Sequence, residues 1–263
     1  MGVSAAAAAD VPRAGEIARV LALPLLPAPT APRQLAPGGL LLRVERGRTL
    51  LCVTGPRAPG PVGVDFGDPG LRHRRRGGQN ELLGRAVGWR RDRAPAVLDA
   101  TAGFARDAFV LADLGCRLLL CEREPLLQLL LGEALQRAAA GGGCEAPAAA
   151  RMQLAAGDAR HLDADRIAGY EVIYLDPMFA QPRRGAAGKG MQLLAQLLAA
   201  RGTVDDSAAL LAWARRQPVR RVVVKRPRKA PALPGPAPGH SLQGRAVRFD
   251  VYPLPRRGGA DAD

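Results

Sequence analysis

Residues 96–122 read AVLDATAGFARDAFVLADLGCRLLLCE, and the order of features in this stretch decides the fold. Ala96 to Ala100 is a short apolar run that predicts a strand. Phe104 to Leu114 repeats its apolar residues at helical spacing and meets Gly115, and Cys116 to Cys121 is strand-like again. A strand, a tight turn, a helix and a second strand form the first half of a doubly wound unit, and the rest of the chain repeats the alternation. Pro125 opens a long Leu- and Ala-rich helix that stops at Gly141 to Gly143. Further strands are expected at Gln153–Ala155, Glu171–Leu175, Val219–Val224 and Val247–Tyr252, with helices at Met191–Ala200 and Ser207–Arg216. The pattern predicts an α/β fold with a mostly parallel sheet covered by helices on both faces, whose ligands bind at the carboxyl ends of the strands.

Upstream the pattern differs. A short helix is expected over Glu16–Leu23, followed by a Pro-rich stretch from Pro24 to Pro37. Strand candidates at Leu40–Val44, Thr49–Thr54 and Val62–Phe66 are separated by Gly, Pro and Arg turns. Residues 1–88 read as a small β-rich appendage and residues 89–263 as the main domain.

Composition narrows the function classes. The 263 residues carry 38 Lys and Arg against 24 Asp and Glu, a formal charge of +14, which favours a polyanionic partner. The bases are almost all Arg in a chain rich in Ala, Gly and Pro, so the location of charge is more informative than its total. Cys52, Cys116, Cys121 and Cys144 include no CxxC pair, and His73, His161 and His240 are far apart. A metal site is therefore not expected, and the cysteines read as reduced thiols of a cytoplasmic protein. No window has the apolar length of a membrane span, and the Ala5–Ala9 run is broken by Asp10, Arg13 and Glu16 before it could form a secretory signal.

The polar residues at the strand ends carry the chemistry. Asp99-Ala100-Thr101-Ala102-Gly103 passes from strand to helix through small residues, which lets the backbone turn beneath a ligand of nucleotide type; an ordinary βα turn would read the same way. No GxxxxGK pattern is present, which argues against a nucleotide triphosphatase. Glu122 closes the next strand, 23 residues beyond Asp99, where a carboxylate can accept hydrogen bonds from both hydroxyls of a ribose. Gly157-Asp158 follows the third strand, where Asp158 could accept from an adenine amino group. The deciding feature is Leu175-Asp176-Pro177-Met178-Phe179 directly after an apolar strand. It resembles the Asp-Pro-Pro-Tyr loop of amino methyltransferases, in which the carboxylate and a backbone carbonyl accept the two amine hydrogens. Pro177 would stiffen the loop and Phe179 would stack on a base.

Basic charge gathers in two places. Residues 72–93 hold eight arginines, Arg74 and Arg75 among them, against two acids; residues 215–229 hold eight basic residues and no acid. Lys225 and Arg226, at a strand end, are candidates for contact with RNA phosphates.

Taken together, these stretches resemble the small-subunit ribosomal RNA methyltransferase J family. The resemblance spans roughly residues 62–252 and rests on His73-Arg74-Arg75, Asp99 to Gly103 with Arg106 to Ala112, and Gly115-Cys116-Arg117 with Glu122-Arg123. It continues through Tyr174 to Phe179, Val222 to Pro227 and Arg248 to Tyr252. It implies a Rossmann-like class I methyltransferase fold with a seven-stranded sheet, S-adenosylmethionine as cofactor, and transfer of its methyl group to guanine N2 in 16S ribosomal RNA, free or in the small subunit. It further implies cofactor contacts at Arg106, Asp107, Glu122, Arg123, Asp158, Ala159 and Asp176, beside the Asp99–Gly103 turn. Ala105 stands where the family commonly has a second glycine, and Asp158-Ala159 stand where hydroxyl residues are usual. Two other readings remain: an amino methyltransferase of DNA or transfer RNA, and a non-catalytic RNA-binding protein on the same fold.

Overall fold

The structure, a computed structural model, describes residues 1–68, 71, 79–177, 193, 197 and 205–255. These fall into two compact units that divide between Val64 and Asp65, with Leu193, Leu197 and Asp205 belonging to the first.

In the first unit β1 (Gly2–Ala5), α1 (Val11–Val20), β2 (Leu40–Glu45) and β3 (Arg48–Val53) build a three-stranded sheet in the order β1-β2-β3 with one helix. Strands β1 and β2 are parallel; β2 and β3 are antiparallel and joined by Arg46-Gly47, both at positive φ (51° and 71°), as a two-residue hairpin turn requires. Three expectations change here. Strand β1 was not anticipated, because four residues are too few to show a period, although all four are buried. The helix starts earlier than expected, on Pro12 in its first turn, and ends at Val20. Val62 forms only an isolated bridge to Leu51 rather than a strand.

The second unit carries the alternation read from the sequence. Its elements are α2 (Gln79–Val87), β4 (Ala96–Asp99), α3 (Arg106–Asp113), β5 (Arg117–Glu122), α4 (Pro125–Gly141), α5 (Ala146–Ala149), β6 (Met152–Ala156), α6 (Ala164–Ala168), β7 (Val172–Leu175), α7 (Ser207–Ala214), β8 (Arg221–Pro227), β9 (His240–Gln243) and β10 (Val247–Pro253). Residues 65–68, 71 and 79–87 belong here, since Phe66 stacks on Phe109 with ring centroids 4.8 Å apart and α2 packs against α3 and β10. Of the expected helix at 191–200 only Leu193 and Leu197, both buried, lie within the described residues.

The sheet order is β6-β5-β4-β7-β8-β10-β9, with β4 to β8 parallel and β10 antiparallel to both neighbours. Helices cover both faces of such a sheet, so its central strands are continuous apolar runs; β7 is buried throughout and β5 from its second residue onward. The chain winds outward from β4 through β5 to β6, then returns across it to β7. The order thus reverses between β4 and β7, and the crevice at their carboxyl ends is where ligands of doubly wound sheets bind. Asp99 ends β4 and Asp176 directly follows β7.

Cys52, Cys116 and Cys121 are buried free thiols and Cys144 is exposed. Burial pushes the Cys116 thiol up to about 12, which keeps it protonated and unreactive. Among the described residues no helix is long and apolar enough to cross a membrane, and no group of His, Cys, Asp and Glu is arranged to hold a metal.

Candidate active site

The turn after β4 is stitched to both neighbouring strands. Ala100 N–H donates to the Tyr174 carbonyl of β7 (3.0 Å) and Ala102 N–H to the Cys121 carbonyl of β5 (2.9 Å). Asp99 is 3% exposed, and its Oδ1 accepts the Thr101 N–H at 3.0 Å. Burial pushes its carboxyl up to about 8, and the nearby Asp176, Asp107 and Glu122 carboxylates act in the same direction. Gly103 adopts φ 54° and points its N–H at Glu122 Oε2 (2.8 Å), while Glu122 Oε1 accepts the Glu124 N–H (2.8 Å). Burial raises the Glu122 carboxyl and these N–H groups moderate the rise. A carboxylate offers about four acceptor positions, so Glu122 keeps capacity for the hydroxyls of a ligand.

At the end of β6, Asp158 caps the short helical turn Ala159–His161 by accepting the Arg160 N–H. The Arg160 guanidinium also grips its carboxylate, Nε to Oδ1 at 3.0 Å and Nη2 to Oδ2 at 2.5 Å, and then reaches Asp206 at 2.7 Å. Arg123 binds the same Asp206 oxygen at 2.8 Å. Hydrogen bonding to Arg160 holds the Asp158 carboxyl below its ordinary value. Ala159 is buried.

Beyond β7 the loop begins with Asp176. Its N–H donates to Thr101 Oγ1 at 2.6 Å, which pins the loop backbone to the β4 turn. Its carboxylate Oδ2 accepts Lys225 Nζ at 2.7 Å, and the same ammonium donates to Asp107 Oδ2 at 2.6 Å. Asp107 Oδ2 also accepts the Tyr174 hydroxyl at 2.8 Å. Burial alone would lower Lys225, but the two carboxylates outweigh it and hold the ammonium above the usual lysine range. Burial also drives the Tyr174 phenol well above its ordinary value, so it remains a donor.

The structure brings Asp99, Gly103, Glu122 and Asp176 together at the switch point, as the strand-end reading expected. It corrects the phosphate-contact reading of Lys225 and Arg226. The Lys225 ammonium is committed to two carboxylates, and Arg226 is 5% exposed with Nε and Nη2 donating to the Pro231 carbonyl. Arg248 braces the same loop from β10, with Nη1 on the Arg228 and Ala230 carbonyls and its other nitrogens on Asp250. Lys225 and Arg226 thus satisfy carbonyls and acids of their own chain, while Arg216, Arg220, Arg228 and Lys229 of the same cluster stay exposed. Asp107, expected as a cofactor contact, is a 7%-exposed partner of Lys225 and Tyr174, whereas Arg106 beside it is exposed. Arg74, Arg75 and Phe179 lie outside the described residues. Sequence reading missed Thr101, Arg160 and Asp206; an Asp-x-Arg spacing hinted at Arg160, and nothing local marked the other two.

The donor set fits S-adenosylmethionine. Glu122 sits at the carboxyl end of β5, where a ribose is held in folds of this kind, and Asp99 and Asp176 lie beside it at the ends of β4 and β7. The comparisons agree. A family model described as "Putative SAM-dependent methyltransferase" matches residues 36–254. The solved structure of a SAM-dependent methyltransferase from Neisseria gonorrhoeae superimposes with a TM-score of 0.69 at 31% identity, covering 99% of this chain and 98% of that one. A protein named ribosomal RNA small subunit methyltransferase J from Marinobacter nauticus is 46% identical over 85% of this chain and 81% of its own. Its namesake from Pseudomonas fluorescens (strain SBW25) is 44% identical over 92% and 90%. With that identity over most of both chains, and with carboxylates at the strand ends of a doubly wound sheet, the chain belongs to the ribosomal RNA small subunit methyltransferase J family, an S-adenosylmethionine-dependent enzyme family.

Proposed function

We propose that this protein methylates the exocyclic N2 of a guanine in 16S ribosomal RNA, acting in the cytoplasm. The observation that carries this reading is the anchoring of Asp176. Its backbone is tied to Thr101 and one carboxylate oxygen to Lys225, at the carboxyl end of the strand bordering the switch point. When bound, S-adenosylmethionine supplies a methyl group on a sulfonium. Glu122 and the Asp99–Gly103 turn hold the cofactor, with Arg123, Asp158 and Ala159 bordering it. Asp176 accepts a hydrogen bond from the amine, turns the nitrogen lone pair toward the methyl group, and offers an acceptor for the proton the nitrogen sheds after alkylation. Pro177 limits the loop's freedom, which lowers the entropy cost of this alignment. Phe179 is assigned to stack on the base, and Arg74 and Arg75 to phosphate contacts.

The test is incubation of the purified protein with methyl-labelled S-adenosylmethionine and 30S subunits lacking the modification, followed by digestion to nucleosides. Label in N2-methylguanosine is the expected outcome. Label in DNA or transfer RNA instead would overturn the substrate, and absence of label in any acceptor would favour a binding protein.

A further inference from the structure

We propose that Lys225 is the positioning residue of the acceptor loop: its ammonium, seated between Asp107 and Asp176, fixes the Asp176 carboxylate in place and keeps it ionised. This rests on the reading of Asp176 as the amine acceptor. Lys225 lies on β8, and Asp176 follows β7, its parallel neighbour. Its two contacts, at 2.6 and 2.7 Å, have the length of charge-assisted hydrogen bonds. The far side of the pair is rigid, because Asp107 is buried in the first turn of α3 and is also held by Tyr174 of β7. The ammonium thus couples a loop carboxylate to the interior of the sheet across three elements.

A purely stabilising role explains this arrangement poorly. An ion pair taken out of water recovers little net energy, and well-packed apolar residues commonly do as well. What an apolar residue could not do is hold a carboxylate whose side chain is one third exposed in one orientation. Among the described residues, the titratable groups around Asp176 are Lys225 from β8, Asp107 from α3, Asp99 from β4 and the neutral Tyr174 phenol from β7. Lys225 is the cation among them, so its removal takes a positive charge from beside Asp176 and raises its pKa.

The experiment compares wild type with Lys225→Met, Lys225→Arg and the double variant Lys225→Met/Asp107→Asn, in which the surplus carboxylate is neutralised. Circular dichroism establishes folding, calorimetry measures S-adenosylmethionine binding, and single-turnover methyl transfer is followed against pH. The expected result for Lys225→Met is cofactor affinity within a few-fold of wild type, a rate about 100-fold lower, and an acid limb displaced upward by about one to three pH units. Lys225→Arg restores the limb. If Lys225→Met does not fold, the double variant is judged by the same criteria. A folded variant with wild-type rate and limb would overturn the proposal, and so would failure of both variants to fold, which would make Lys225 a structural brace. An inactive wild type would instead sink the functional reading itself.

Discussion

Asp158 and Asp176 both follow parallel strands of one sheet and both are gripped by a cation, yet they are held in different ways. Asp158 is held by Arg160, two residues on in the same turn, and the pair is shared with Asp206 and Arg123 in partly exposed surroundings. Asp176, its side chain one third exposed, is held by Lys225, 49 residues away, and through it by the buried Asp107, 118 residues from the lysine. The first arrangement is a property of a turn. The second exists only once β7, β8 and α3 have assembled. Water reaches both carboxylates, but the first is a local pair of modest energy, whereas the second is tied through Lys225 to the buried Asp107 and placed where the amine is expected to react.

Removal of each carboxylate is the strongest way to break this contrast. Asp176→Ala should lower single-turnover methyl transfer by about 1,000-fold, in the range seen when one organised transition-state contact is lost. Its unfolding temperature should change little, because Lys225 keeps Asp107. Asp158→Ala should weaken S-adenosylmethionine binding, read by calorimetry, by about 10-fold and leave transfer at saturating cofactor nearly intact. Equal losses of transfer in the two variants would erase the distinction.

The pH dependence of stability distinguishes burial from ion pairing. Asp99, raised to about 8 chiefly by burial, binds a proton more tightly folded than unfolded. Its contribution is therefore complete below the unfolded value near 4 and is lost as pH rises toward 8. Between pH 5 and 7 the slope is up to about 1.4 kcal/mol per pH unit. Asp158, lowered by Arg160, contributes in the opposite sense, present above the unfolded value and lost as pH falls through its folded one. Thermal melts from pH 5 to 9 should show stability of Asp99→Asn rising relative to wild type with pH; parallel curves would mean that Asp99 is ionised throughout.

The doubly wound character of the sheet and most of its strand-end carboxylates were legible in one dimension because strand ends are. The apolar runs stop at Asp99, Glu122, Gly157-Asp158 and Asp176, and ligands bind where such runs stop. The roles of the basic residues were not legible. A run of Arg and Lys looks alike whether it faces RNA phosphates or the carbonyls of its own loop, and only the packing of β8 against β7 and β10 shows that Lys225 and Arg226 turn inward. Asp107, which the resemblance offered as a cofactor contact, hid its inward role for the same reason: its partners Tyr174 and Lys225 are far away in sequence.

Smaller effects test the energetic side of the contrast. Tyr174→Phe removes the hydroxyl from Asp107 inside the network and should cost about 1–3 kcal/mol, the range for a buried group that loses its partner. Arg160→Ala, in the exposed network, should cost at most about 1 kcal/mol, and less in high salt. Urea titrations at low and high ionic strength measure both, and a salt-sensitive loss at Tyr174 or a salt-insensitive one at Arg160 would reverse the assignment of interior and surface.

The smallest effect is expected at Ala105, where the family resemblance leads one to expect a glycine. Ala105 precedes α3 with φ 51°, a left-handed conformation that favours glycine and costs an alanine about 1–2 kcal/mol. Ala105→Gly would relieve that strain. It would also widen the unfolded ensemble, worth about 0.4–1 kcal/mol, and expose the cavity of a methyl group that is now 1% exposed, worth roughly 0.8 kcal/mol. The terms nearly cancel, so the glycine variant should keep its stability within about 0.5 kcal/mol and its transfer rate unchanged. An alanine at this position is then a neutral local exchange and no sign of a decayed site; a large gain in transfer on restoring glycine would show instead that the turn beneath the cofactor is strained at a cost to catalysis.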